Sequence, residues 1–287
     1  MNPTAARFRA VVTDLDGTVV RRDGTVSDAT RRAAAALAAA GIPLIAATAR
    51  TPSGIAVLGE LVRDVAVAVC CNGGVGCLPS TGERLWLQAL DPAAVVEIVD
   101  VLAARLPDAE IGAYDGRRWM LTDGYVAVRG TAPRGPHRIA TAGRLSRRPA
   151  CMLSVCHPRL GSAAVAEVLA AAHVHPGLAA VTYAADDLLD ITPPGADKAA
   201  GAGRALARLG IEPADAVGFG DAPNDLPMLA LVGHAVAVAN AHPDVLAAAD
   251  AVTACVERDG FAEALTGLGL VPDERGRPTA PSSCGQP

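Results

Sequence analysis

Two stretches of this chain gather carboxylates where a strand should end. "VVTDLDGTVV" (residues 11–20) runs up an apolar segment and then sets Asp14 and Asp16 two positions apart, beside Gly17. "GFGDAPNDLPML" (218–229) does the same with Asp221 and Asp225, flanking Asn224. Strand side chains alternate between faces, but a glycine just past the strand end permits a sharp turn, so both acids of the first pair can converge on one point. Converging carboxylates suit a bound cation, a nucleophile with its acid–base partner, or both. A solvated Asx turn is the structural alternative.

The only lysine among 25 basic residues is Lys198. An ammonium is a compact point charge on a flexible stem, fit to reach a phosphoryl oxygen and a carboxylate together, and Asp197 before it is a natural N-cap whose helix adds positive potential. Asparagine is nearly as scarce, at positions 2, 72, 224 and 240. Asn72, in "CNGG", fits either a left-handed turn residue or a ligand contact. Carboxylates gathered this closely would repel and take up protons without a cation, and hard oxygen donors with no His or Cys point to magnesium.

The elements that must position these groups follow from periodicity. A strand at about 9–13 leads to helix "SDATRRAAAALAAAG" with Ser27 as cap and Gly41 past its end, then strand "IPLIAAT", a helix capped by Thr51 with Pro52 at its first position, and buried strand "VAVAVCCNGG". This βαβαβ grammar returns after residue 190: helix 198–209, strand "AVGFGD", a helix near 226–231, strand "AVAVAN", a helix near 243–249 and strand "AVTACV". The predicted fold is α/β, a doubly wound Rossmann-like parallel sheet split by an inserted α+β unit. The expected domains are a core of 1–79 and 190–271, an insertion of 80–189, and a disordered tail of 272–287 rich in Pro, Ser and Gly. Doubly wound sheets bind ligands beyond the carboxyl ends of their strands, where Asp14, Asp16, Thr48, Asn72, Asp221, Asn224 and Asp225 all fall.

Composition narrows the function. The chain has 287 residues, is 51% hydrophobic but 3% aromatic, and carries a net charge of −5. No global field favours nucleic acid or an anionic membrane. No secretory leader or spanning segment is expected, and seven cysteines without a CxxC pair read as reduced thiols, so the expected setting is soluble and cytoplasmic. Nothing in the sequence sets an oligomeric state.

"DLDGT" at 14–18, "TAR" at 48–50, Lys198 in "GADKAAG" and "GDAPND" at 220–225, in that order, resemble the four motifs of the haloacid dehalogenase superfamily. "CNGG", "DITPPGADKAAG" and "VAVANAHPDVLAAADAVTACVERDGFAEAL" are similar to its Cof-type branch of phosphatases with a large α/β cap. The 33 residues between Asp14 and Thr48 leave room only for sheet elements, and the 149 between Thr48 and Lys198 accommodate a cap. The resemblance implies a magnesium-dependent phosphatase acting on a small phosphorylated metabolite. It makes Asp14 the nucleophile, Asp16 the acid–base partner, and Asp14, Asp16 (through its carbonyl), Asp221 and Asp225 the metal set. It gives the phosphoryl oxygens to Thr48, Lys198, Asn224, Asn72 and the backbone N–H groups of Leu15 and Ala49. Two departures stand out: Ala49 replaces the usual glycine of the second motif, and Pro223 lacks a backbone donor.

Two rivals share these residues: a phosphomutase that passes the phosphoryl group to a second hydroxyl, and a non-catalytic phosphometabolite-binding module. Finally, residues 124–166 hold seven arginines (129, 134, 138, 144, 147, 148, 159) and no acid. That strip reads either as solvated surface or as a guide for anions over the cleft.

Overall fold

The computed structural model describes residues 8–145, 149–172 and 180–273. Its first third runs β1 (Ala10–Thr13), α1 (Asp28–Ala39), β2 (Leu44–Ala47), α2 (Pro52–Ala56), α3 (Leu61–Asp64), β3 (Val65–Cys70), β4 (Val75–Leu78) and β5 (Glu83–Leu87). The middle runs α4 (Pro92–Arg105), β6 (Glu110–Tyr114), β7 (Trp119–Leu121), α5 (Tyr125–Arg129), β8 (His137–Ile139), α6 (Ala142–Leu145), β9 (Met152–Cys156), α7 (Ser162–Ala171), β10 (Ala180–Ala185) and β11 (Leu188–Thr192). The last part runs α8 (Lys198–Arg208), β12 (Ala216–Gly220), α9 (Leu226–Leu231), β13 (His234–Val238), α10 (Pro243–Ala248), β14 (Ala251–Thr253) and α11 (Gly260–Gly267).

An eight-stranded sheet has the order β14-β13-β12-β1-β2-β3-β4-β5. Its first six strands are parallel, and β4 and β5 add an antiparallel hairpin on the edge of β3. The acid-bearing strands β1 and β12 are central neighbours, with Thr13 opposite Phe219, so the groups after both strands emerge at one end of the sheet. Both faces are dry. Val11 joins Leu37 and Phe261 on one side, while Ala10 and Val12 join Ala202, Ala205 and Leu206 of α8 on the other. Burial on two faces explains why these strands read as unbroken apolar runs.

The six-stranded sheet, ordered β10-β11-β9-β6-β7-β8, is antiparallel except between β7 and β8. Leu153, Val155, Leu189 and Ile191 on one of its faces pack with Val95 and Ile98 of α4 and Val165 of α7. This is the α/β core with a separate sheet-bearing insertion that the periodicity predicts. The hairpin of β4 and β5 belongs to the first sheet, however, and β11 to the second, so we take 88–192 as the inserted unit in place of 80–189. Sequence grammar reads a hairpin but not which sheet edge it will join. From 274 onward the expected tail lies outside the described residues.

Local chemistry sets the helix starts. Ser27 accepts from the N–H of Thr30, Thr51 from Gly54 and Asp197 from Ala200, as the cap reading requires, and Asp91 accepts from Ala93 in the same way. The helix expected from Thr51 onward is broken into α2 and α3, with Gly59 between them at φ +60°. Five cysteines (70, 71, 77, 151, 156) are free and buried, whereas Cys255 is disulfide-bonded, contrary to the expectation of thiols throughout. Among the described residues no helix is long and apolar enough to cross a membrane.

The turn after β3 brings α8 in close. Gly73 lies at φ +102°, and a Cβ there would sit 2.1 Å from the carbonyl oxygen of Asp197. Gly203, on α8, has only Leu231 at an ordinary 3.8 Å. Gly73→Ala should therefore cost about 2–4 kcal/mol of stability through strain and displacement of α8. Gly203→Ala should instead add about 0.5–1 kcal/mol. Urea unfolding of both variants checks the pair, and similar effects from the two would contradict this packing.

Candidate active site

Lys198 opens α8 and lies beneath the ends of β1 and β12. Its Nζ donates to Asp14 Oδ1 at 2.6 Å and to Asp225 Oδ1 at 2.7 Å. All three residues are dry: Lys198 is 3% exposed, Asp14 4% and Asp225 0%. Burial alone would push the ammonium down, but the two carboxylates outweigh it and hold Lys198 above the ordinary amine range. Asp225 Oδ2 accepts from the backbone N–H groups of Asp221 and Ala222, at 3.0 and 2.9 Å. Both oxygens of Asp225 are thus engaged in fixing the lysine and the acid loop.

Asp221 is turned into the site by Thr18, whose hydroxyl donates to its Oδ1 at 2.8 Å. Gly17 makes this approach possible. It lies at φ +85°, and a Cβ there would fall 2.3 Å from Asp221 Oδ2. Asn240 donates to the Gly17 carbonyl at 2.8 Å and accepts from Val256 N–H, tying the first acid loop to the far edge of the sheet.

The carboxylate oxygens of Asp14, Asp221 and Asp225 can be chosen within 4.8 Å of one another. One ammonium among three acids leaves the cluster short of positive charge. Burial, followed by repulsion from Asp225, pushes Asp221 up to about 6 even though Thr18 hydrogen-bonds it. Asp14 is raised well above the ordinary carboxylate value by burial, against the pull of Lys198. Hard oxygen donors with a charge deficit fit a divalent cation.

Asp16 stands apart. Its side chain is half exposed, and Arg50 grips it with two bonds, Nε to Oδ2 at 2.8 Å and Nη2 to Oδ1 at 2.6 Å. Arg50 Nη1 also donates to Gly54 O. The residue pattern alone assigns no role to Arg50 within "TAR", nor to Thr18 or Asn240. Position in a motif signals Arg50, but its partner is visible only once β1 and β2 are adjacent.

Thr48 is buried, and its hydroxyl accepts from Arg50 N–H at 3.1 Å while its carbonyl accepts from Asn72 N–H at 3.0 Å. Ala49 is partly exposed beside it, and the Leu15 side chain belongs to the core. Asn72 adopts φ 49°, ψ 38°, so the turn reading holds. It is also buried against the site: its Oδ1 faces Asn224 Nδ2 at 3.4 Å, while its own Nδ2 and the Asn224 Oδ1 are buried without a partner. Two unsatisfied amide atoms beside Asp14 and Lys198 are poised for a ligand.

Above this floor lies a cavity of about 380 Å³ bounded by Ala49, Arg50 and Thr51 below and by Trp119, Arg129, Arg134 and Asp190 of the insertion above. It divides the arginine strip. Arg129, paired with Asp187, and Arg134 line the cavity, whereas Arg144 lines a different one and Arg159 pairs with Asp108. Arg147 and Arg148 lie outside the described residues.

With this geometry in place, the comparisons are specific. A profile of the haloacid dehalogenase-like hydrolases matches residues 11–265. An HMP-PP phosphatase of Cronobacter sakazakii is 27% identical over 237 residues, covering 82% of this chain and 85% of that protein. Among solved structures, the subclass IIB sugar phosphatase BT4131 superposes with a TM-score of 0.78 at 20% identity, over 92% of this chain and 100% of that one. BT1666 from Bacteroides thetaiotaomicron gives the same TM-score at 20% identity, over 94% and 98%. These likenesses cover both sheets and show the fold.

The crowded carboxylates predict a pH signature in metal-free protein. Asp221 binds its proton more tightly when folded, about 6 against an ordinary 3.8, so its contribution to stability falls as pH rises through that window. Asp221→Asn has no such proton to lose. In EDTA the variant should match the wild type near pH 4 and exceed its melting temperature increasingly toward pH 7, and parallel profiles would refute the charge deficit.

Proposed function

The chain belongs to the haloacid dehalogenase-like hydrolases, and from that premise we propose that it is a magnesium-dependent phosphatase. The substrate is a small phosphorylated metabolite, a sugar phosphate-like monoester, cleaved through an aspartyl-phosphate on Asp14. The observation that carries this reading is the buried Lys198, bonded at once to Asp14 and Asp225 beside Asp221. A dry ammonium held next to a crowded carboxylate is preorganised charge for an incoming phosphoryl dianion.

The residues that would hold magnesium are Asp14 through its carboxylate, Asp16 through its carbonyl oxygen, and Asp221, with Asp225 supporting them. The chemistry supplied with magnesium in place is neutralisation of charge on the phosphoryl oxygens. Lys198, Thr48, Asn224, Asn72 and the N–H groups of Leu15 and Ala49 would hold those oxygens. Ala49 keeps its N–H, so its methyl narrows the approach without removing a donor.

Asp14 attacks phosphorus in line. The new bond joins its carboxylate oxygen to phosphorus as the ester P–O bond breaks, and Asp16 delivers a proton to the departing alkoxide. Asp16 then takes a proton from water as that water attacks phosphorus, releasing orthophosphate and restoring Asp14. In the present state Arg50 occupies both Asp16 oxygens, so this acid–base work requires the guanidinium to let go. An arriving phosphoryl group competes for Arg50 and supplies the release.

Three substitutions test this. Asp14→Asn should retain the fold and abolish magnesium-dependent phosphate release from generic phosphate esters. Lys198→Ala should lower kcat by roughly 10²- to 10³-fold, the usual cost of losing one preorganised stabilising contact, and Lys198→Arg should also be poor because a planar fork cannot replace a point charge. Near-normal turnover in either Asp14→Asn or Lys198→Ala would reject the assignment.

A further inference from the structure

The face of the six-stranded sheet that looks toward the catalytic floor carries Met152, Leu188 and Trp119, with Tyr125 of α5 beside them, and is apolar for most of its extent. At its centre it carries groups that an apolar face does not tolerate without cause. Asp190 on β11 stands directly opposite Ser154 on β9 and accepts a hydrogen bond from its hydroxyl. Asp190 is only 2% exposed, yet it lines the cavity above Arg50 and Thr51. Among the described residues no ion pair satisfies it: Arg129, the nearby cation, is paired with Asp187. Burial pushes the Asp190 carboxyl up to about 7, with the Ser154 hydroxyl and the Arg129 charge countering it.

The next column of the sheet adds a second anomaly. Gly112 on β6 stands opposite Ser154, and a Cβ there would come within 3.2 Å of the Trp119 ring. The absent side chain lets the indole lie beside Ser154. Trp119 is 4% exposed and its Nε1–H is buried without any partner. Tyr125, the first residue of α5, is buried and lines the same cavity.

A buried acceptor and an orphaned buried donor each cost free energy unless a ligand satisfies them. They share one cavity, whose floor is the segment that grips Asp16. A hydroxyl is the group that both donates and accepts, and two neighbouring hydroxyls serve an acid and an indole N–H at once.

We propose that Asp190 and Trp119 form a hydroxyl-reading subsite that selects the leaving group, Asp190 accepting from one substrate hydroxyl and Trp119 Nε1–H donating to the same or a neighbouring one. Ser154 holds Asp190 in place for that contact. The inference rests on the phosphatase reading and adds to it which residues of the insertion discriminate among esters, and by what chemistry.

The test uses the full chain with magnesium and compares kcat/KM for polyol esters (glucose 6-phosphate, ribose 5-phosphate, glycerol 3-phosphate) with that for phenyl phosphate, which has no hydroxyl to read. Asp190→Asn is nearly isosteric, and Trp119→Phe keeps the ring but removes the donor. On the polyol ester that the wild type cleaves fastest, each should lose roughly 10- to 100-fold, the range for one hydrogen bond to a charged or buried partner. Phenyl phosphate turnover should stay within about twofold of wild type, since no contact to it is lost. Equal losses on both esters, or no loss on either in both variants, would overturn the proposal. If the wild type cleaves neither class of ester, the phosphatase reading is what fails. The subsite is then judged by thermal shift with glucose 6-phosphate: stabilisation of the wild type but not of Asp190→Asn sustains it, and equal or absent stabilisation rejects it.

Discussion

One buried ammonium organises the catalytic end of the first sheet. Lys198 has Asp14 and Asp225 within hydrogen-bonding distance and almost no water, so neither carboxylate can be removed without leaving an unpaired charge in a dry pocket. Several features of the fold serve this contact. Asp197 caps α8 so that the lysine begins the helix, Gly73 lets α8 approach the end of β3, and β1 and β12 are adjacent so that Asp14 and Asp225 can share one partner. Asp225 then uses its other oxygen to fasten the loop that carries Asp221. The result is a carboxylate cluster short of positive charge, the electrostatic condition for binding a divalent cation and a phosphoryl group together.

The charged cluster and the cavity wall above it are divided between the two sheets. The first supplies the charged groups at its strand ends, where backbone geometry is fixed by parallel neighbours. The second supplies a wall whose polar atoms, Asp190, Ser154 and the Trp119 indole, interrupt an apolar surface. Arg50 lies between the two. It belongs to the first sheet, grips Asp16, and lines the cavity that the second sheet covers.

The groups at strand ends were legible in the sequence because a central parallel strand has to be apolar, and polar residues stand out where it stops. Asp14, Asp221 and Asp225 emerged this way, and Lys198 stood out as the only lysine. Asn72 is a turn residue whose buried amide also faces Asn224, a pairing that spacing alone could not show. Contacts that depend on tertiary adjacency were not legible. Arg50 and Asp16 are 34 positions apart and meet only because β2 pairs with β1. Asp190, in "DDLLDIT", reads as an ordinary polar position near a strand end, and its burial follows from the second sheet facing the first. The arginine strip left two readings open, and the fold divides it: Arg129 and Arg134 line the cavity while Arg144 and Arg159 lie on other surfaces.

The central claim is that Asp14 carries the phosphoryl group between two half-reactions. It is tested most directly by mixing enzyme and magnesium with a ³²P-labelled ester, quenching in acid within the first turnover, and mapping the labelled peptide. A base-labile label on the peptide containing residues 11–20, confined to Asp14, is the expected result. Phosphate release without any protein-bound label across the burst, or a label on another residue, would contradict it.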